Sequence, residues 1–117
     1  MLAAETQEAM IERASLYYTA VYEQESRIFG TAGLDLNEVR LLFVSPAHRR
    51  AGIGRALVEH LKTLVPATFF TDIFVYASTQ SVEFYKSCGF VERGPAELDA
   101  GDEKLRTVFM TCLVRKI

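Results

Sequence analysis

Few of the signals that mark a secreted, membrane-bound or metal-dependent protein occur in this chain of 117 residues. Its only cysteines, Cys88 and Cys112, lie far apart in apolar surroundings, so neither a CxxC pair nor a disulfide framework is available. They read as reduced core residues of a cytoplasmic protein. The longest uncharged stretches, Leu41 to Pro46 and Pro66 to Thr71, fall far short of the roughly 20 apolar residues that cross a bilayer. The N-terminus lacks a basic segment followed by an apolar one, and no membrane association is expected. A formal net charge of -2 exerts no general pull on a polyanion, which sets nucleic acid aside as a partner. His48 and His60 form no metal-ligand spacing, so no metal is expected. Low-complexity tracts, internal repeats and linkers are lacking too. What is there, 50% hydrophobic and 24% charged residues, suits one compact core and is too short for two, hence a single domain over residues 1–117.

The opening segment to about Tyr17 is rich in Ala and Glu, with Met10, Ala14 and Tyr17 on one helical face, and predicts a helix. From Tyr18 to Tyr22 the residues favour a strand; Glu23 to Arg27 reads as a turn and Ile28 to Leu36 as a second strand, together an antiparallel hairpin. Glu38 to Val44 alternates and then becomes wholly apolar, as a strand does when its start is exposed and its end buried. Beyond a basic loop, Ile53, Ala56, Leu57, Leu61 and Leu64 recur at helical spacing until Pro66. Phe69 to Ala77 is a nearly continuous apolar strand, so strand, helix and strand predict a parallel βαβ crossover. Ser78 and Thr79 cap a short helix to about Cys88, with Gly89 supplying a left-handed end. Phe90 to Arg93 restarts extended structure, Pro95 to Lys104 reads as a polar loop, and Thr107 to Val114 alternates as a closing strand.

The segment His48-Arg49-Arg50-Ala51-Gly52-Ile53-Gly54-Arg55 lies between an apolar strand and an amphipathic helix. Glycines there let the backbone bring several N–H groups close to a ligand, and the helix adds its partial positive end. Arg49, Arg50 and Arg55 surround that cradle with charge suited to phosphate oxygens. Glycines at such a junction also serve merely to relieve crowding, so a GxG alone decides nothing. The dinucleotide fingerprint is missing, because Leu57 takes the third glycine position, and no Gly-Lys-Ser/Thr ending follows.

The run Val44-x-Pro46-x-x-Arg49-x-x-Gly52-x-Gly54-x-x-Leu57 resembles the acetyl-CoA-binding motif of the GCN5-related N-acetyltransferase (GNAT) superfamily. Ser78 to Phe90, with Phe84-Tyr85 and then Cys88-Gly89-Phe90, is similar to the family's second motif, one helix and one strand further on. The resemblance implies a GNAT-like α+β (α/β) fold: a mixed sheet, with an antiparallel N-terminal hairpin leading to a parallel βαβ CoA-binding core and about three helices. It implies that backbone groups of Leu42, Phe43 and Val44 pair with the pantetheine arm of acetyl-CoA. The amides of Arg50, Ala51, Gly52, Ile53, Gly54, Arg55 and Ala56 would then hold the pyrophosphate, with Arg49 alongside. It also points to Tyr85 as the general acid for the departing thiolate, a role that a hydroxyl with an ordinary pKa near 10 can fill; the alternative is a core tyrosine. Ser78 and Ser81 stand where the family commonly has Asn and Ala, and a serine reaches less far toward the pantetheine. The family's usual first strand and helix are expected to be absent.

The resemblance further implies an amine acceptor and a base that frees it of its proton. Glu38, at the start of the strand leading to the loop, is the candidate, against the reading of a solvated strand-end glutamate. Asp72 interrupts an apolar strand and is either a structural partner of an arginine or functional. The acids Glu97, Asp99, Asp102 and Glu103 either attract a cationic amine or are simply solvated. The function expected is N-acetyl transfer from acetyl-CoA to a primary amine by direct attack in a ternary complex. The alternative is a non-catalytic acyl-CoA sensor or partner subunit of the same fold. A sheet left half unpaired by a shortened N-terminus predicts a homodimer.

Overall fold

The structure, a computed structural model, describes residues 2–6 and 17–114. Among these, seven strands form one sheet: β1 (Leu2–Thr6), β2 (Tyr17–Gln24), β3 (Arg27–Asp35), β4 (Glu38–Val44), β5 (Asp72–Ser78), β6 (Val91–Ala100) and β7 (Glu103–Leu113), in spatial order β1-β2-β3-β4-β5-β7-β6. Every neighbouring pair is antiparallel except β4 and β5. Helix α1 (Ile53–Leu64) makes the crossover between those two, and α2 (Val82–Ser87) follows β5 after a 3₁₀ turn over Thr79–Ser81.

The hairpin and the crossover fall where the sequence places them. Glu25 and Ser26 both take positive φ, the conformation of a tight turn whose twist matches its flanking strands. In α1 the buried residues Ile53, Leu57, Val58 and Leu61 form one stripe that settles on β2, β3 and β4. The helix stops at Val65, whose extended backbone is what a following proline demands. A side chain at Gly30 would stand 3.0 Å from Ile53 Cγ2 and 3.1 Å from Leu57 Cδ1, so this glycine sets how closely α1 lies on β3. One hydrophobic core joins Leu34, Leu57, Leu61, Ile73 and Met110, all fully buried. Each such side chain contributes about 1.5–3 kcal/mol relative to exposure. α2 ends as expected at Gly89, with φ of 94°, where the Phe90 N–H donates back to the Tyr85 carbonyl at 3.0 Å.

Several expectations need correction. Leu2–Thr6 is a strand paired antiparallel with β2, neither a helix nor an absent first strand; the rest of the predicted first helix, residues 7–16, lies outside the described residues. Helical composition yields here to backbone pairing with a neighbouring strand. The strand predicted from Phe69 begins only at Asp72, because Phe69 and Phe70 donate to the Pro66 carbonyl in a turn that ends the helix. Ser78 makes no capping bond to the backbone, and its hydroxyl meets that of Ser81 at 2.7 Å. Residues 95–104 are not a loop. They form most of a ribbon in which Leu98 opposes Leu105 and Asp99 opposes Lys104, turning at Gly101 and Asp102. Polar composition misleads there because β6 is an edge strand, where charge and proline are tolerated. β5 ends opposite Thr107, so the ribbon runs on beyond it as two strands alone.

Candidate active-site cleft

β4 and β5 stay in register only at Glu38 with Phe74 and Val39 with Val75. Beyond that point they part. In the pairing of β4 with β3, Leu34 opposes Val39 and Gly33 opposes Leu41, so Arg40 is an extra residue on β4. Such a bulge bends its strand and breaks the ladder. The separation leaves a cleft of about 750 Å3 through the sheet. Along Leu41–Val44 the backbone groups turned toward β5 have no strand to pair with, although a ladder of main-chain donors and acceptors calls for one.

The cleft runs from there to the basic loop. The Ser45 N–H donates to the Phe29 carbonyl at 2.7 Å and anchors the loop's start; Pro46–His48 makes one 3₁₀ turn. Arg50 and Gly52 then adopt left-handed φ of 70° and 80°, which aims the chain into α1. The first helical hydrogen bond runs from the Ala56 N–H to the Gly52 carbonyl at 3.0 Å. Ile53, Gly54 and Arg55 therefore present N–H groups with no helical acceptor, and the cap residue Gly52 has no side chain to occupy them. Arg49, Arg50 and Arg55 line the same end, all three exposed. This is a fit for phosphate: unoccupied donors, the positive end of a helix and three guanidinium groups.

The two glycines prove different in kind. A side chain at Gly52 would meet nothing within 4 Å, whereas one at Gly54 would stand 3.1 Å from Phe84 Cζ. Gly52 thus keeps space open at the helix mouth, and Gly54 lets α1 approach α2. Lys62 ties the same pair of helices at their base. Its ammonium donates to the Cys88 carbonyl at 2.6 Å and to Glu59 at 2.8 Å, and lies 5.8 Å from the centre of the Phe90 ring.

On the far wall, Tyr85 is buried between Phe84 and Phe90, whose rings meet it edge-on at 5.1 and 5.3 Å. It still lines the cleft. Burial pushes its phenol up to about 12, because the anion would lose its hydration there. Ser78 and Ser81 line the wall beside it. The Cys88 thiol is also buried and pushed up in pKa, chiefly by that burial, so it stays protonated and is a poor nucleophile.

Among the residues expected at the site, Leu42, Phe43, Val44, Arg49, Arg50, Gly52, Ile53, Gly54, Arg55, Ser78, Ser81 and Tyr85 all line this one cleft. Ala51 does not, and the Ala56 amide is taken by the helix. Glu38 lies outside the lining too, next to Val39, and faces Arg40 Nη1 at 3.8 Å; Asp35 reaches the same nitrogen at 3.4 Å. Asp72 opens β5, its backbone carbonyl accepting a hydrogen bond from Asn37 Nδ2 at 3.1 Å. Arg40, His48, Tyr76, Gln80 and Phe84 were missed as lining residues. Phe84 and His48 stand inside the two motifs and could have been included; nothing in the sequence singles out Tyr76 or Gln80. The His48 ring stacks on Phe29 at 3.7 Å, and its Nδ1 is buried without a hydrogen-bond partner. Among the described residues no cluster of three metal-ligating side chains occurs, and no helix is long and apolar enough to cross a membrane.

Residues 1–113 match the family model described as "Acetyltransferase (GNAT) domain". A curated relative, the peptidyl-lysine N-acetyltransferase YjaB of Salmonella typhimurium, is 38% identical over 82 residues, which are 70% of this chain and 54% of that protein. The chain thus spans about half the length of the curated relatives it matches. Among solved structures, a GCN5-related N-acetyltransferase from Rhodopseudomonas palustris superposes with a TM-score of 0.74 at 24% identity, over 90% of this chain and 65% of that one. An aminoglycoside 6'-N-acetyltransferase complexed with coenzyme A gives 0.75 at 17% identity, over 94% and 78%. At those identities the likeness is one of fold.

Proposed function

The chain belongs to the GNAT acetyltransferase family, and from that premise we propose that it transfers the acetyl group of acetyl-CoA to a primary amine. The observation that carries the reading is the meeting, in one cleft, of an unpaired stretch of β4 with the open N-terminus of α1. An extended pantetheine would add to Leu42–Val44 as a strand does, while the amides of Ile53, Gly54 and Arg55, with the arginines around them, hold the pyrophosphate. The acceptor nitrogen attacks the thioester carbonyl carbon, the C–S bond breaks, and Tyr85 gives its proton to the leaving sulfur. Its raised pKa keeps that proton in place across the neutral range. Because no carboxylate lines the cleft among the described residues, the amine's proton passes first to water, with Glu38, beside Arg40 where β4 and β5 still pair, as the carboxylate that receives it. The buried thiol of Cys88 leaves direct transfer as the simpler route. The Salmonella relative's name places peptidyl lysine among the acceptors to be tried.

The same lack of a lining carboxylate favours a second reading, an acyl-CoA sensor that does not turn over. Titration of the protein with acetyl-CoA in a calorimeter tests both at once, since each requires saturable one-site binding that Arg55→Glu weakens at least tenfold. Release of CoA thiol in the presence of amines then separates them. A protein that binds acetyl-CoA and never releases thiol is the sensor; one that does not bind acetyl-CoA is neither.

A further inference from the structure

The face of the sheet turned away from α1 flanks the cleft on both sides and carries an apolar patch there. Gly30 and Ala32 face α1, and their partners Val44 and Leu42 share that face. Leu41 and Phe43 therefore point the other way, about half exposed at 53% and 52%. Across the split, Phe74, Tyr76 and Phe109 lie on this same far face, since Phe74 is in register with Glu38 and Tyr76 with Phe109. Their rings touch, with centroids 5.4 to 5.8 Å apart. Tyr76 carries this aromatic wall into the cleft itself.

Charge is arranged to match. The charged lining residues are Arg40, Arg49, Arg50 and Arg55, and no Asp or Glu joins them among the described residues. Three acids share this face: Asp35 and Glu38 are both turned onto Arg40, and Asp72, two residues before Phe74 on β5, lines no part of the cleft. The acidic ribbon residues Glu97, Asp99 and Glu103 lie beyond the end of β5 and line no part of the cleft. A polyamine or aminoglycoside carries several positive charges, each of which needs a carboxylate when it leaves water. An amine bearing an aromatic ring asks for what this face offers: area for the ring, edge and face contacts, and little charge.

We infer that the acceptor is a monoamine whose nitrogen is carried close to an aromatic or bulky apolar group, which seats against Tyr76, Phe109, Leu41 and Phe43. This rests on the acetyl-transfer reading above and narrows it by excluding polycationic acceptors. The test compares 2-phenylethylamine with spermidine and an aminoglycoside, by thiol release from acetyl-CoA and, independently of turnover, by calorimetric binding of each amine to the protein loaded with CoA. The aromatic amine should lead in kcat/KM and in affinity by about tenfold or more, the scale on which an apolar subsite discriminates. Leu41→Glu places a carboxylate on the exposed wall and should narrow or reverse that preference, read as the ratio of the two amines' affinities for the CoA-loaded protein. Phe109→Leu should cost the aromatic amine and spare spermidine, an effect that mere loss of stability would not produce. An equal or reversed order in the unaltered protein, binding of neither amine, or a preference that Leu41→Glu leaves unmoved overturns the inference. Acetyl-CoA binding in the same experiments decides the broader reading separately.

Discussion

At the scale of single residues, Tyr85 carries the sharpest consequences. Removing its hydroxyl leaves the ring contacts with Phe84 and Phe90, so Tyr85→Phe should fold, bind acetyl-CoA nearly as before and lose about 100-fold in kcat, the low end for a lost proton donor. Steady-state and binding measurements on one preparation check both halves. The same burial predicts a pH effect on stability. A phenol at about 12 in the folded chain, against about 10 when unfolded, stabilises the fold fully below pH 10. That contribution, of order 3 kcal/mol, is lost as pH rises to 12. Urea midpoints between pH 9 and 12 should fall less steeply in Tyr85→Phe than in the parent. Glu38→Gln, by contrast, should cost less than about tenfold in kcat/KM, because its carboxylate stands outside the cleft beside Arg40 and water supplies the first acceptor. The tyrosine and the arginines were legible because each sits in a motif of fixed spacing. The reason for Gly54 was not, since its partner Phe84 is thirty positions away and only the packing of α1 on α2 brings them together.

At the scale of elements, what was legible depended on how the burial pattern is made. α1 has a one-sided stripe and ends at a proline, so its limits follow from local chemistry. Leu61 is fully buried in that stripe, and Leu61→Ala should lower unfolding free energy by roughly 2–5 kcal/mol in urea titrations, through lost burial and a cavity. The ribbon of β6 and β7 was illegible past Arg93 because its alternation is shallow, half-buried Ala96 and Leu98 between exposed acids, and Pro95 and Gly101 read as loop signals; only the partner strand makes it a strand. The Arg40 bulge was hidden for a related reason. One residue too many shows only when β4 is counted against β3, and that count decides which side chains face α1 and which face the other way.

At the scale of the molecule, the sheet is whole at both ends and open in its middle. β1 seated on β2 becomes the outer edge of the sheet on that side, while the parting of β4 and β5 creates the cleft. The βαβ core could be foreseen from two motifs one helix and one strand apart; the split itself could not, since it is a property of two strands that fail to pair. Because the arginines proposed to hold the phosphates are exposed, binding of acetyl-CoA should weaken as ionic strength rises from 0.05 to 0.5 M, in proportion to screening that reaches about 10 Å at 0.1 M. Calorimetry across that range checks it.

The ribbon that outruns β5 has a further consequence, in time rather than in space. The β7 backbone from Thr107 to Thr111 is held on both sides, by β5 and β6, whereas residues 103–106 are held by β6 alone. Opening the outer part breaks few bonds and exposes little apolar area; opening the inner part dissolves the core. One continuous strand should therefore exchange its amide hydrogens on two clocks, quickly up to Arg106 and, from Thr107 to Thr111, at the pace of the whole fold.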